Sequence, residues 1–214
     1  LIKQGDITLD GEVLSDPRQS VAADADVRLR GQSLREAAPR YFMLNKPVDY
    51  VCAARDWRHL TVLDLLDEDN PERLHVAGRL DIDTTGLVLL TDDGNWSHAI
   101  TSPKKQCWKR YWLRTAEPIE DSAVARFAKG VFLKDDKQRT QPAELEILGP
   151  CEARLRLSEG RYHQVKRMFG ALGNAVVELH REAIGDIELD SELADGEYRP
   201  LTAAERDSVW SDEQ

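Results

Sequence analysis

An unbroken apolar run, Leu87-Val88-Leu89-Leu90, stands between Asp81-Ile82-Asp83 on one side and Asp92-Asp93-Gly94 on the other. Four apolar residues are too few for a helix and are well sized for a buried strand. Asp92-Asp93-Gly94 reads as the turn that ends it. The chain therefore has to build a sheet around this segment, with Asp81 and Asp83 held at the mouth of a rigid strand. Nucleophiles and general bases tend to be placed in such positions.

The rest of the chain supplies strands more often than helices. Residues 5–14 carry two short alternating runs around Asp10-Gly11, a predicted hairpin, and Val27-Arg28-Leu29 is a closing strand. Residues 31–39, polar and ending in proline, read as a linker. Tyr41-Phe42-Met43-Leu44 opens a new strand, halted by Asn45-Lys46-Pro47, with Tyr50 to Ala53 as its expected partner. Strands are also predicted around Tyr111-Trp112-Leu113, over 143–148, 153–157 and 175–179, and at 187–189. Helices are predicted from a Thr61 cap to Leu66, over 122–129, and over 161–172. In the last of these, Val165, Met168, Phe169 and Leu172 form one apolar stripe. Thr202 and Glu205 form a capping box for a final helix. Many strands with few helices between them give an α+β fold with a mainly antiparallel mixed sheet flanked by helices. The expected organisation is a small N-terminal piece with its linker at 1–38, too short to bury a core alone, and a main domain at 39–214.

Composition narrows the function classes. The 214 residues are 41% hydrophobic, enough for a core, and no run approaches the roughly 20 apolar residues of a membrane helix, so a soluble chain is expected. No signal peptide is visible, and the chain starts at Leu1 without a methionine, so further N-terminal residues are expected before it. Cys52, Cys107 and Cys151 are odd in number and far apart, which fits reduced thiols in a cytoplasm. The histidines show no metal-ligand spacing. The formal net charge of −10 argues against a general nucleic-acid coat. Its distribution says more. Acids crowd 64–72 and 186–197, while bases interleave with aromatics in Lys104-Lys105-Gln106-Cys107-Trp108-Lys109-Arg110-Tyr111 and in Arg161-Tyr162-His163-Gln164-Val165-Lys166-Arg167. Such patches hold phosphates and stack bases, or are simply an exposed strand and an exposed helix face. No heptads or large apolar stripes appear, so a monomer is the default.

Several readings of the segment DIDTTGLVLLTD compete. An EF-hand calcium loop fails because Leu89 occupies the ninth position, the last acid is Asp, and the second half reads as strand. A haloacid-dehalogenase-type phosphatase also starts from a strand and DxDxT, but needs magnesium and a doubly wound fold, whereas strand and helix do not alternate here. Aspartates merely capping turns are the bland alternative.

A further reading comes from the whole segment GRLDIDTTGLVLLTDDG, together with YFMLNKP (41–47), KRYWL (109–113), EGRYHQVKRMF (159–169) and VVELHREAIGDIEL (176–189). In this order, over residues 41 to about 200, these blocks closely resemble the RsuA/RluA superfamily of pseudouridine synthases, most of all its branch acting on small-subunit (16S) ribosomal RNA. The resemblance implies an isomerase that flips a uridine out of RNA, breaks its N-glycosidic bond and rejoins the ring through carbon, without metal or organic cofactor. It implies a cytoplasmic role in ribosome biogenesis, with rRNA or a small-subunit assembly particle as partner. It also likens the first piece to the second half of an αL-type RNA-binding domain, whose two basic helices would precede Leu1.

By the same resemblance, Asp81 is the catalytic aspartate, whether it attacks the base, attacks the sugar or removes a ribose proton. Tyr111 stacks on the target base, and Lys166 is the cation that keeps Asp81 ionised when RNA excludes water. Leu179 packs near the base. Arg79 enters the gap left by the flipped base, since unstacking leaves a hole to be filled. Arg161 and His163 position the loop or a phosphate, while Asn45 and Lys46 look structural; Lys104, Lys105 and Lys109 are expected to hold phosphates from their basic patch, not from the resemblance. The rival from another class is a non-catalytic RNA-binding or ribosome assembly factor on the same fold, which would tolerate loss of Asp81 and Lys166.

Overall fold

The computed structural model describes residues 1–22, 25–34, 38–102 and 107–210. The chain divides into two compact units, Leu1–Ala38 and Pro39–Gln214.

The first unit is a four-stranded antiparallel sheet of β1 (Ile7–Leu9), β2 (Glu12–Val13), β3 (Val27–Leu29) and β4 (Gln32–Ser33), in the order β2-β1-β3-β4. Asp10-Gly11 and Arg30-Gly31 both have positive φ at their two residues, the conformation that matches a two-residue hairpin turn to strand twist. The second of these hairpins lies where the sequence pointed to a linker. Ile7 and Leu14 are buried hydrophobics of this unit, which agrees with its small size.

The second unit is built on nine strands. They are β5 (Tyr41–Lys46), β6 (His75–Val76), β7 (Thr85–Thr91), β8 (Lys109–Thr115), β9 (Glu144–Gly149), β10 (Glu152–Leu157), β11 (Val176–Ile184), β12 (Ile187–Glu188) and β13 (Tyr198–Pro200). Their order is β13-β5-β7-β11-β8-β10-β9, with β12 beside β11 and β6 beside β7. Every pairing is antiparallel except β7 with β11. The unbroken apolar run of β7 has a simple cause: the strand is buried on both faces. Leu87 and Leu89 pack with Met43, Trp96 and Ile100, while Val88 and Leu90 pack with Phe42, Leu113, Phe127 and Phe169. Helix α1 (Gly94–Thr101) thus covers one face, and α2 (Ser122–Ala128) and α3 (Gln164–Gly170) the other. A short α4 (Ala203–Ser208) begins at the Thr202–Glu205 capping box.

Three expectations change. Tyr50–Ala53 does not pair with β5, whose two edges are taken by β7 and β13; Val51 makes only a bridge to Thr61. Asp92-Asp93-Gly94 is not a plain turn, because Asp93 Oδ1 caps α1 by accepting from the Asn95 and Trp96 amides, while Asp92 pairs with Arg40. And β11 runs to Ile184, well past Leu179.

One irregularity of the sheet shapes the site. β11 pairs only with the first two residues of β7, His180 with Thr85 and Arg181 with Gly86, and β6 takes over the same edge at Leu90 and Thr91. Gly86 has φ +99, and a β-carbon there would run into the Arg181 backbone, so this crossing requires glycine. The chain between β6 and β7 leaves the sheet at this gap, and it carries Asp81.

Candidate active site

Two buried cations pin the loop between β6 and β7. Lys46, at the end of β5 and fully buried, donates its Nζ protons to the carbonyls of Pro47 (2.8 Å), Ile82 (3.2 Å) and Thr84 (2.8 Å). Burial pushes its amine below the ordinary lysine range. Arg181, 2% exposed, fills the gap between β11 and β6 and donates to the carbonyls of Leu87 (2.8 Å), Gly78 (2.8 Å) and Arg79 (3.4 Å). Oriented carbonyls here do the work of a carboxylate, through charge-assisted hydrogen bonds. The loop is braced further where the Leu80 amide meets Cys52 Sγ at 3.3 Å and the Asp49 amide donates to the Ile82 carbonyl at 2.9 Å. Asp81 is thus held on backbone fixed at both ends.

The partners of Asp81 come from the entry to α3. His163 sits before the helix with φ 47, a left-handed conformation that aims its ring inward: Nε2 lies 3.4 Å from Asp81 Oδ1, an ion pair when the imidazole is protonated. Lys166, one turn on, lies 3.9 Å from Asp81 Oδ2 and donates to Asp83 Oδ1 at 2.5 Å. The sequence reading gave this ammonium to Asp81 alone; the structure places it between two carboxylates and closer to Asp83. Burial pulls the Asp83 carboxyl up, but Lys166 outweighs it and holds the group below the usual carboxylate range.

Asp81, Arg79, Tyr111, Lys166 and Leu179 line one cavity of about 100 Å³, with His163, Arg161 and Thr84 also on its walls. That is well below the roughly 300–1,000 Å³ that encloses a whole drug-sized ligand, so the cavity is sized for one inserted group. Tyr111 and Leu179, from neighbouring strands β8 and β11, are both buried and belong to the same apolar cluster. The result is an aromatic and aliphatic wall facing a carboxylate. The Thr84 hydroxyl is buried with no hydrogen-bond partner among the described residues. Lys46, Arg79, Arg161, Lys166 and Arg181 face Asp49, Asp81, Asp83 and Glu159 here, so the site is close to charge balance in a chain of net charge −10.

The other expected site residues lie differently. Arg161 directs its guanidinium to Asp136 (2.9 Å), Glu159 (3.1 Å) and the carbonyls of Gln138 and Arg139, so it braces the 134–139 loop against α3 rather than reaching for a phosphate. Arg167 joins the same brace through Asp136 at 2.6 Å. Lys109 is on β8 beside the cavity-lining Tyr111 but is not on the cavity wall; burial pushes its amine down, with Cys107 and Arg181 nearby. Lys104 and Lys105 lie outside the described residues. Sequence reasoning placed Asp83 beside Asp81 at the mouth of the strand but gave it no role as a partner of Lys166, and it missed Arg181. A lone arginine in a strand carries no signal of the carbonyls that it meets.

A fixed carboxylate with a lysine beside it, facing a narrow slot with an aromatic wall on a mixed sheet, is the arrangement of an enzyme site that takes one inserted planar group. Residues 40–171 match the family described as RNA pseudouridylate synthase. The chain is 55% identical over 204 residues to ribosomal small subunit pseudouridine synthase A of Yersinia pestis, covering 95% of this chain and 87% of that one. It is 54% identical over 209 residues to the protein of the same name from Escherichia coli (strain K12), covering 97% and 90%. A solved structure titled "Crystal structure of pseudouridylate synthase" matches with a TM-score of 0.78 at 47% identity, over 97% of this chain and 90% of that one. The chain belongs to the RNA pseudouridylate synthase family, and is an isomerase that converts uridine in RNA to pseudouridine.

Proposed function

We propose that this chain isomerises specific uridines of small-subunit (16S) ribosomal RNA during ribosome biogenesis in the cytoplasm, working as a monomer on the RNA or on a small-subunit assembly particle. The names of relatives at 54–55% identity support the choice of RNA. The observation that carries the chemistry is the convergence of Asp81, Tyr111, Leu179 and Lys166 on one slot. In the reaction the bond from N1 to C1′ breaks, a bond from C5 to C1′ forms, C5 gives up a proton and N1 gains one. Atoms and electrons balance within the nucleotide, so no redox partner is required.

In this reading the flipped uracil lies against the wall of Tyr111 and Leu179, with the Thr84 hydroxyl available to one of its carbonyl oxygens. Asp81 acts as the catalytic carboxylate, and Lys166 is the cation beside it once RNA has displaced water, with the His163 ring 3.4 Å away. Arg79, exposed at the rim, fills the hole left in the RNA, which offsets part of the few kcal/mol lost on unstacking. Residues 1–38 act as the remnant of an αL-type RNA-binding domain, and 39–214 as the catalytic domain. The test is to map pseudouridine in unmodified 16S rRNA after incubation with the protein and with Asp81→Asn. Site-specific modification by the first and none by the second, at equal melting temperature, is expected; normal turnover by Asp81→Asn would overturn the assignment.

A further inference from the structure

The slot holding Asp81 accounts for a single nucleotide, and a neighbouring loop offers a place for another. From Cys52, in contact with Leu80, the chain runs outward and returns where Val51 bridges Thr61. Every residue over 54–60 is exposed. This loop is nonetheless a built turn: Asp56 Oδ1 accepts from the amides of Arg58 (2.8 Å) and His59 (2.9 Å) and lies 3.3 Å from His59 Nδ1. Those donors hold the Asp56 carboxyl below its ordinary range. At its apex Trp57 is 84% exposed, and the Arg58 guanidinium lies over its ring, 4.2 Å from the centroid.

A single exposed apolar side chain needs no explanation. An indole raised on a capped turn, with a guanidinium over it and Arg55 and His59 beside it, is a different object. Only Asp56 is acidic in the segment, and its carboxylate is occupied by the loop's own donors. Aromatic rings with arginine neighbours are how proteins grip unpaired nucleotides without reading sequence, through base stacking and contacts to phosphate. Trp57 is five steps along the chain from Cys52, a reach of at most about 18 Å, so the indole stays within a few nucleotides of the Asp81 slot.

We propose that the 54–60 loop is a second RNA-binding element, in which Trp57 stacks on an unpaired base flanking the flipped uridine while Arg55 and Arg58 meet its phosphates. This inference rests on the RNA-modifying reading and adds a contact outside the reaction pocket. The test uses the full chain and a 16S rRNA transcript, with pseudouridine formation followed in single turnover against enzyme concentration and RNA affinity measured separately on the Asp81→Asn background. Trp57→Ala is expected to weaken apparent binding about tenfold, within the range that one base–aromatic stack supplies, and to leave the rate at saturating enzyme unchanged. Trp57→Phe is expected to recover most of the affinity.

Unchanged affinity in Trp57→Ala overturns the proposal, and so does a Phe variant no better than Ala. An effect seen on small-subunit particles but absent on naked transcript also overturns it, because an unpaired base is open to the indole in both. If the unsubstituted enzyme forms no pseudouridine on the transcript or on small-subunit particles, the assigned substrate fails instead, a separate outcome that the wild-type arm reads directly.

Discussion

Arg181 is the sharpest test of how the fold serves the chemistry. It touches none of the reacting groups, yet two of its hydrogen bonds, at 2.8 Å to the carbonyls of Leu87 and Gly78, tie the loop carrying Asp81 to β7. Replacing it by methionine leaves the buried Leu87 carbonyl without that partner, at roughly 1–3 kcal/mol, and the half-buried Gly78 carbonyl at the lower end of the same range. Methionine keeps much of the volume, and removing an unpaired buried charge offsets part of the loss. The net cost is about 2–4 kcal/mol, or a fall in melting temperature of roughly 4–16 °C for a domain of this size. Catalysis should suffer separately. A displacement of about 1 Å at a reacting group can cost on the order of 10²-fold, so kcat is expected to drop by about that factor with KM little changed. Arg181→Lys retains charge but not the fork that spans two carbonyls, and should fall between the two. Thermal melts and single-turnover pseudouridine formation, both well below the lowered melting temperature, read the two effects. If Arg181→Met melts within about 2 °C of wild type and turns over normally, the pinning argument is wrong.

Lys166→Met should behave in the opposite way. Its main partner Asp83 is largely exposed, so melting should change little, whereas turnover should fall on the order of 10²-fold as the carboxylates lose their shared cation; the same two assays check it, and Lys166→Arg should restore much of the rate. Acid stability tests a different region. The hydrogen bond from Arg199, helped by the Thr202 cap, outweighs burial and pushes the Glu205 carboxyl down to about 2 from 4.5. A depressed carboxyl contributes stability that is present above its unfolded value and is lost as pH falls through the folded one, so this contribution should fade between about pH 4.5 and 2. Glu205→Gln should lower the melting temperature at neutral pH and flatten its decline over that window, as measured by melts at stepped pH.

Much of the scaffold could be read from residue order because it follows local rules. β7 announced itself by an apolar run that only a doubly covered strand tolerates, and α3 by the stripe of Val165, Met168 and Phe169, all buried. What stayed hidden depended on partners far away in sequence. His180-Arg181-Glu182 looks too polar to continue a strand, yet Arg181 is buried because carbonyls from three other residues meet it. Tyr50–Ala53 lost its expected place to β13, a strand from the other end of the chain. Within the site, Asp81 could be suspected from its position at the mouth of a strand. Tyr111, Lys166 and Leu179 could not, since an aromatic in a strand, a lysine on a helix and a leucine in a strand are what any domain contains. Only the family pattern singled them out.

An acidic chain acting on a polyanion raises a question that the distribution of charge answers. On the outer face of β8, β10 and β11, Arg110, Arg154 and Arg114 are matched by Glu182, Glu188 and Glu178, so that surface presents little field of either sign. Arg199 is likewise matched by Asp190 and Glu205. Around the Asp81 loop the pattern differs: Lys46 and Arg181 are held by backbone carbonyls, with the carboxylates of Asp49, Asp81 and Asp83 near Lys46. Pairing basic side chains with carboxylates over that outer face leaves it little general attraction for phosphate. Non-specific RNA binding, which scales with the number of phosphates contacted, is thereby kept low. Affinity must then come from shape, from stacking and from a few well-placed cations. An enzyme that modifies chosen uridines within a long RNA requires that arrangement, and a uniformly basic surface would work against it.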